Sequence, residues 1–293
     1  MDKKPVLVIT FLLAMVWSAA SRAEFRDESN PSLDELLSLY QEVGLPLPHK
    51  GAKLVRYHET GTLIANGVEQ PKRYHLAIKV KEGQKGQGPW IYQAVKEYQL
   101  TPQNEAQEVE PTPEALLQTP SSGGLIGSVQ CYALGWKALA KELLSQSLET
   151  ATESPRQEIL RRAWDYWTDQ MMTPKVDRRP IPARLKQLIK LDPDLATPAN
   201  KSLISSLDLT LVPGTAKPGS IGALIDALVD EDVPQQKIGE ESTASPSASL
   251  ARLGFGAVPT LLEHLDDARL TRATWQWMKG PPQRVLVRDV VAI

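Results

Sequence analysis

Residues 254–273 read GFGAVPTLLEHLDDARLTRA, and the spacing of their aliphatic side chains decides how the C-terminal half is read. Val258, Leu261, Leu262 and Leu265 recur at i, i+3, i+4 and i+7, which places all four on one face of a helix. Pro259 lacks an N–H and is tolerated in a first turn, where that group has no helical partner. A helix is therefore expected from near Gly256 to the Asp266–Asp267 pair. Two carboxylates suit a helix C-terminus poorly, so they are expected to cap the helix that follows.

The arrangement occurs twice. In GSIGALIDALVDED, residues 219–232, Ile221, Leu224, Ile225 and Leu228 have the same spacing, Gly219 matches Gly256, and Asp230 matches Asp267. SASLARL (residues 247–253) reads as the return helix of the first hairpin. Two helical hairpins at a period of about forty residues resemble HEAT repeats, which stack helix pairs into an α-solenoid. GAVPTLLEHLDD is similar to the first helix of that family, and VLVRDVVAI (residues 285–293) is similar to the second. The resemblance covers residues 219–293. It departs from the family in the long loop from Glu231 to Pro246 and in the interruption from Trp275 to Arg284. It implies that Leu261, Leu262 and Leu265 hold a stack together, and that Leu262→Asp unfolds the region. Val287, Val290 and Val291 open an apolar face that Ile293 ends, which implies a longer solenoid or an end that docks.

At 293 residues the chain suggests more than one module. With 42% hydrophobic and 23% charged residues it can bury a core. Lys3 and Lys4, the apolar run Val6 to Trp17, and the small residues of Ser18-Ala19-Ala20 and Ser21-Arg22-Ala23 have the order of a secretory signal peptide, residues 1–23. The apolar run is short for a bilayer span, which needs about 20 residues. No cysteine lies near the cleavage region, which excludes lipoprotein anchoring there. Removing this segment, which carries net +2, from a chain at −2 leaves a mature protein near −4. That balance and export together argue against nucleic-acid binding. Cys131 is the only cysteine, so no intramolecular disulfide forms.

Residues 31–101 read as a small antiparallel α+β module. A helix over Asn30–Val43 has Ser32 as cap and Gly44 as stop, with Leu33, Leu36, Leu37 and Tyr40 on one face. Strands follow in KLVRYHE, TLIANGVEQ, RYHLAIKVKEG and GPWIYQAVKEYQL, with Asn66-Gly67 as a hairpin turn. Residues 102–124 carry prolines and glutamates without lysine or arginine and read as a linker. Residues 125–210 read as helical, with helices over Ile126–Leu148, Ser154–Met172 and Pro182–Leu191. The fold class expected is α+β, with HEAT-like helical hairpins over residues 219–293.

Candidate chemistry is sparse. His49, His58 and His75 lie among the strands, and His58 with His75 and Glu59 offers a metal site; the alternative is half-exposed strand residues. Cys131 sits in an apolar helical pattern, as a buried structural thiol does. Ser128 follows Gly127 but lacks the strand and second glycine of a nucleophile elbow, so it reads as a helix start. His264 is expected to face solvent. Leu160, Trp164, Trp167 and Met171 recur at helical spacing, as core residues do. Trp275 and Trp277 lie in the interrupted repeat and either contact a partner or fold back over the solenoid end. Residues 154–190 hold an excess of basic residues densest at DRRPIPARLKQLIK, with Arg178, Arg179 and Arg184. They either meet an anionic envelope polymer or membrane surface or form a solvated helical face. Together these features point to an exported, non-catalytic scaffold with a protein partner and no cofactor. The alternative is a metal-binding protein or enzyme centred on the N-terminal histidines.

Overall fold

The computed structural model describes residues 31–58, 64–65, 68–69, 74–84, 87–93, 95–101, 104, 106–116, 124–231, 245–275 and 283–292. The signal segment, Glu59, the Asn66-Gly67 turn and Trp277 fall outside them. The fold is mixed α+β. The chain divides into two compact units, residues 1–163 and 164–293.

In the first unit, helix α1 (Leu33–Glu42) opens on a capping box. Ser32 Oγ accepts the Glu35 N–H at 3.2 Å, and Glu35 accepts the Ser32 N–H at 2.8 Å. It closes at Gly44, whose φ of 73° lets Leu45 N–H reach back to the Tyr40 carbonyl. Strands β1 (Lys53–His58), β2 (Ile64–Ala65), β3 (Val68–Glu69), β4 (Tyr74–Lys81), β5 (Trp90–Gln93), β6 (Lys96–Gln99) and β7 (Ala106–Glu108) follow. β2 and β3 pair as a separate hairpin. The main sheet is antiparallel, in the order β6-β5-β4-β1-β7.

Alternation along the strands sorts the core into two faces. Leu54 and Leu76 join Leu33, Ala115, Leu116, Cys131, Leu139 and Leu143. Val55, Tyr57, Ala77 and Ile91 gather with Leu100 from the opposite face. Leu139 is fully buried, so truncating it to alanine costs about 2–5 kcal/mol.

The segment read as a linker contributes to this unit. β7 is the edge strand beside β1, and a 3₁₀ turn over Pro113–Leu116 buries Ala115 and Leu116. Ala115 and Leu116 anchor the segment in the cluster with Leu54 and Leu76, and exposed Glu108 adds ion pairs to Lys53 at 2.6 Å and to Lys79. The helix expected over Ile126–Leu148 is two, α2 (Gly124–Ala133) and α3 (Lys137–Thr150). Gly135, with φ 85°, ends α2; its N–H bonds the Tyr132 carbonyl and that of Trp136 bonds Cys131, both at 2.9 Å.

Helix α4 (Pro155–Gln170) carries the chain into the second unit, which contains α5 (Ile181–Leu191), α6 (Pro198–Thr210), α7 (Ile221–Ala227), α8 (Pro246–Leu253) and α9 (Val258–Leu262). β8 (Leu270–Trp275), β9 (Gln283–Leu286) and α10 (Val287–Val291) complete it. Ile225 and Leu228 pack with Leu250 of α8 and Val287 of α10, and Ile221, Leu224, Leu261 and Val290 border that core.

Two sequence expectations change here. The region is not wholly helical: β8 and β9 form an antiparallel hairpin where the second repeat was interrupted. Asp267 directs the chain out of helix, accepting the Arg269 N–H at 3.0 Å and clasping its guanidinium, so it leads into a strand and caps no helix. Helix α9 is accordingly five residues long and ends before His264.

Candidate interaction surface

The residues singled out from sequence separate when placed in the fold. Arg178 is buried, 4% exposed, and serves the fold itself. Its Nε donates to the Met171 carbonyl at 2.6 Å, Nη1 to Val229 at 2.9 Å and Leu270 at 3.3 Å, and Nη2 to Thr271 at 2.8 Å. Desolvation, with Arg272 nearby, brings its pKa down to about 10, so it stays charged at neutral pH. As a contact for an anionic partner it is withdrawn, because its guanidinium does not reach solvent.

Arg179 is exposed and holds Asp177 through two nitrogens, and Arg184 lies 5.8 Å over the Trp167 ring. Arg161 pairs with Glu153 and Lys186 with Asp208, both at 2.8 Å. Much of the basic excess of residues 154–190 is thus matched locally, which favours a solvated face over an anion-binding one. The backbone of Trp275 lies in β8.

Strand geometry keeps His58 and His75 apart. β1 and β4 pair Tyr57 with His75 and His58 with Tyr74. His75 therefore shares a face with Tyr57, and His58 points from the opposite one, so no ion can bridge them. Each imidazole instead meets its neighbour's ring, His75 stacking on Tyr57 and His58 tilting against Tyr74. No cluster of three or more His, Cys, Asp or Glu suited to a metal occurs among the described residues. Ser128 is buried and donates to the Leu125 carbonyl, and burial pushes the Cys131 thiol up to about 12, which removes its nucleophilic form. His264 is partly covered and bonds Asp267 at 3.2 Å.

What the fold presents is apolar. Leu253, Phe255, Val258, Leu262 and Leu265 are exposed along one continuous stretch, Phe255 at 95% and Leu262 at 60%. This corrects the expected role of Leu262 and Leu265: of the stripe, Leu261 borders the core, while Leu262 and Leu265 face solvent. The equivalent positions of the earlier copy, Ile225 and Leu228, are fully buried. Local chemistry sets the shape. Gly254, with φ 54°, ends α8, and a 3₁₀ turn over Gly254–Gly256 swings Phe255 outward before α9 begins.

Arg269 reaches Asp226 of α7 at 2.6 Å and Asp267 at 2.6 Å. Burial works to raise the Asp267 pKa, but the Arg269 guanidinium and N–H and His264 outweigh it and hold it low. Sequence reading found the stripe but overlooked Phe255, whose signal was an aromatic residue between two glycines at a turn.

Among the described residues no helix is long and apolar enough to cross a membrane. No protein-family model matches the chain, and neither a curated protein nor a solved structure matches it.

Proposed function

We propose that this is an exported, non-catalytic interaction protein whose contact surface is the ridge Leu253–Phe255–Val258–Leu262–Leu265. The observation that carries the reading is Phe255, an aromatic side chain 95% exposed amid four further exposed aliphatics. Five large apolar side chains exposed within thirteen residues favour contact with a partner, because burying each yields about 1.5–3 kcal/mol. Aromatic anchors are also enriched among residues that dominate binding energy. Export rests on the charge, apolar run and small-residue order of residues 1–23. The likeness to HEAT repeats belongs to this proposal too, supported by the α7–α8 hairpin and by Leu261 at the edge of its core.

The test is site-specific photo-crosslinking in the producing cells, with a benzophenone amino acid at Phe255 and, as control, at exposed Arg156. The reading expects protein adducts at position 255 that are absent at 156. Equal labelling at both, or none at 255, overturns it.

A further inference from the structure

We infer that His49 is a proton-controlled latch, which fastens the strap over residues 45–51 to the end of β4 and releases it when the imidazole becomes neutral. The inference concerns the first unit and is independent of the ridge. The strap joins α1 to β1 between two glycines in the left-handed region, Gly44 with φ 73° and Gly51 with φ 91°. Its near end is held by two hydroxyls: those of Tyr40 and Tyr92 both donate to the Pro46 carbonyl, at 3.0 and 3.3 Å. Its far end is held by His49, whose Nε2 lies 2.6 Å from the Val80 carbonyl and whose Nδ1 lies 3.0 Å from that of Lys50.

Val80 is where β4 lacks a strand partner. Pairing with β1 reaches Lys79, and pairing with β5 shifts register between Lys79 and Lys81, so Val80 stands outside both ladders. Its carbonyl takes the strap's imidazole instead. Carbonyl oxygens only accept, so holding both bonds requires a proton on each ring nitrogen, which is the imidazolium. Loss of either proton turns a lone pair toward a carbonyl oxygen. His49 is exposed, so its protons exchange with solvent. Besides the two carbonyls, Glu97 of β6 favours the charged ring. Among the cations flanking the contact in sequence, Lys79 is neutralised by Glu82 and Glu108, while Lys50 and Lys81 oppose the charge. At the released end Gly51 supplies the hinge, with open space where a side chain would begin. The next residue, Ala52, donates its N–H to the His49 carbonyl at 3.2 Å and packs with Ile78 and Tyr92.

The experiment follows amide exchange of the purified full chain by NMR between about pH 5.5 and about pH 8.5, a range that brackets histidine titration. After correction for the intrinsic pH dependence of exchange, the Ala52 N–H should be fully protected below the His49 midpoint and lose about fivefold in protection above it, the factor one hydrogen bond is worth. The Leu45 N–H, bonded to the Tyr40 carbonyl at the near end, should keep its protection throughout. His49→Gln, which takes up no proton, should abolish the step at Ala52 and leave far-ultraviolet circular dichroism unchanged. Constant Ala52 protection while the His49 ring titrates overturns the inference. So does a step that persists in His49→Gln, or one that is equally large at Leu45.

Discussion

Replacing Arg178 with leucine tests whether one buried cation organises the second unit. Its guanidinium donates to four backbone carbonyls, those of Met171, Val229, Leu270 and Thr271, which lie on the turn after α4, the turn after α7, and β8. Leucine fills much of the volume and supplies no donor. The Leu270 carbonyl can draw on the Thr210 hydroxyl at 3.3 Å, which it shares with Ser206 at 2.7 Å, and the Val229 carbonyl is only partly buried and can turn to water. That leaves the Met171 and Thr271 carbonyls deprived of this donor inside the fold. At about 1–3 kcal/mol for each buried acceptor so stranded, the cost is about 4 kcal/mol. At roughly 3 °C per kcal/mol for a unit of this size, the melting temperature falls by about 12 °C. Arg178→Lys keeps the charge but donates from a single atom, which cannot span acceptors arranged around a fork, so it recovers less than half. Arg179→Leu is the control. Its side chain is 82% exposed beside Asp177, and its removal stays within about 0.5 kcal/mol. Urea titration followed by tryptophan fluorescence reads all three. A cost below about 1 kcal/mol for Arg178→Leu, or an equal cost for Arg179→Leu, refutes the reasoning.

The other predictions concern single side chains. His49 places both ring nitrogens against carbonyls, Nε2 at 2.6 Å from Val80 and Nδ1 at 3.0 Å from Lys50, so both bonds form only when the ring is protonated. Those carbonyls raise its pKa, which makes its contribution full below about pH 6.5 and lost as pH climbs through the folded value; an NMR titration midpoint at or below 6.5 contradicts this. Cys131, buried and with its thiol pushed up to about 12, should react with a disulfide reagent at pH 8 only after denaturant is added, and equal native and denatured rates would disprove it. Leu262→Asp should leave stability within about 1 kcal/mol because the side chain faces solvent, whereas Ile225→Ala should cost about 2–4 kcal/mol; unfolding by Leu262→Asp would reinstate a stack buried on that face.

Elements whose rules are local were readable. Ser32 with Glu35 and Gly44 marked both ends of α1, and Asn66-Gly67 lies between the paired strands β2 and β3. A break at Gly135 was equally written in the chain and was passed over, because the aliphatic period continues on both sides of it. Helix α6 carried its own signature, Thr197 as cap and Pro198 at the first position, with the Asn200 N–H on Thr197 Oγ1 at 3.2 Å. What composition hid was β7. An acidic, proline-rich segment reads as unable to bury anything, yet it seats Ala115 and Leu116 in the core, and Glu108 adds ion pairs to Lys53 and Lys79, which pairing between β1 and β4 brings together.

The ridge shows most directly where periodicity stops being informative. Ile225 and Leu262 occupy equivalent places in two copies of one pattern, and so do Leu228 and Leu265. The first of each pair is fully buried; the second is 60% and 44% exposed. Nothing within either stripe accounts for the difference. It comes from Leu250 and Val287, which reach the first stripe from α8 and α10, and from Asp267, which turns the chain after the second stripe into β8. A stripe states which side of a helix is apolar, and its cover is set by elements distant in sequence. Where one copy is sealed from within the chain and its duplicate is left open, with an aromatic residue thrust out beside it, the open copy is where binding energy remains to be gained. That asymmetry, more than the repeat itself, supports the proposal that the surface around Phe255 makes the contact.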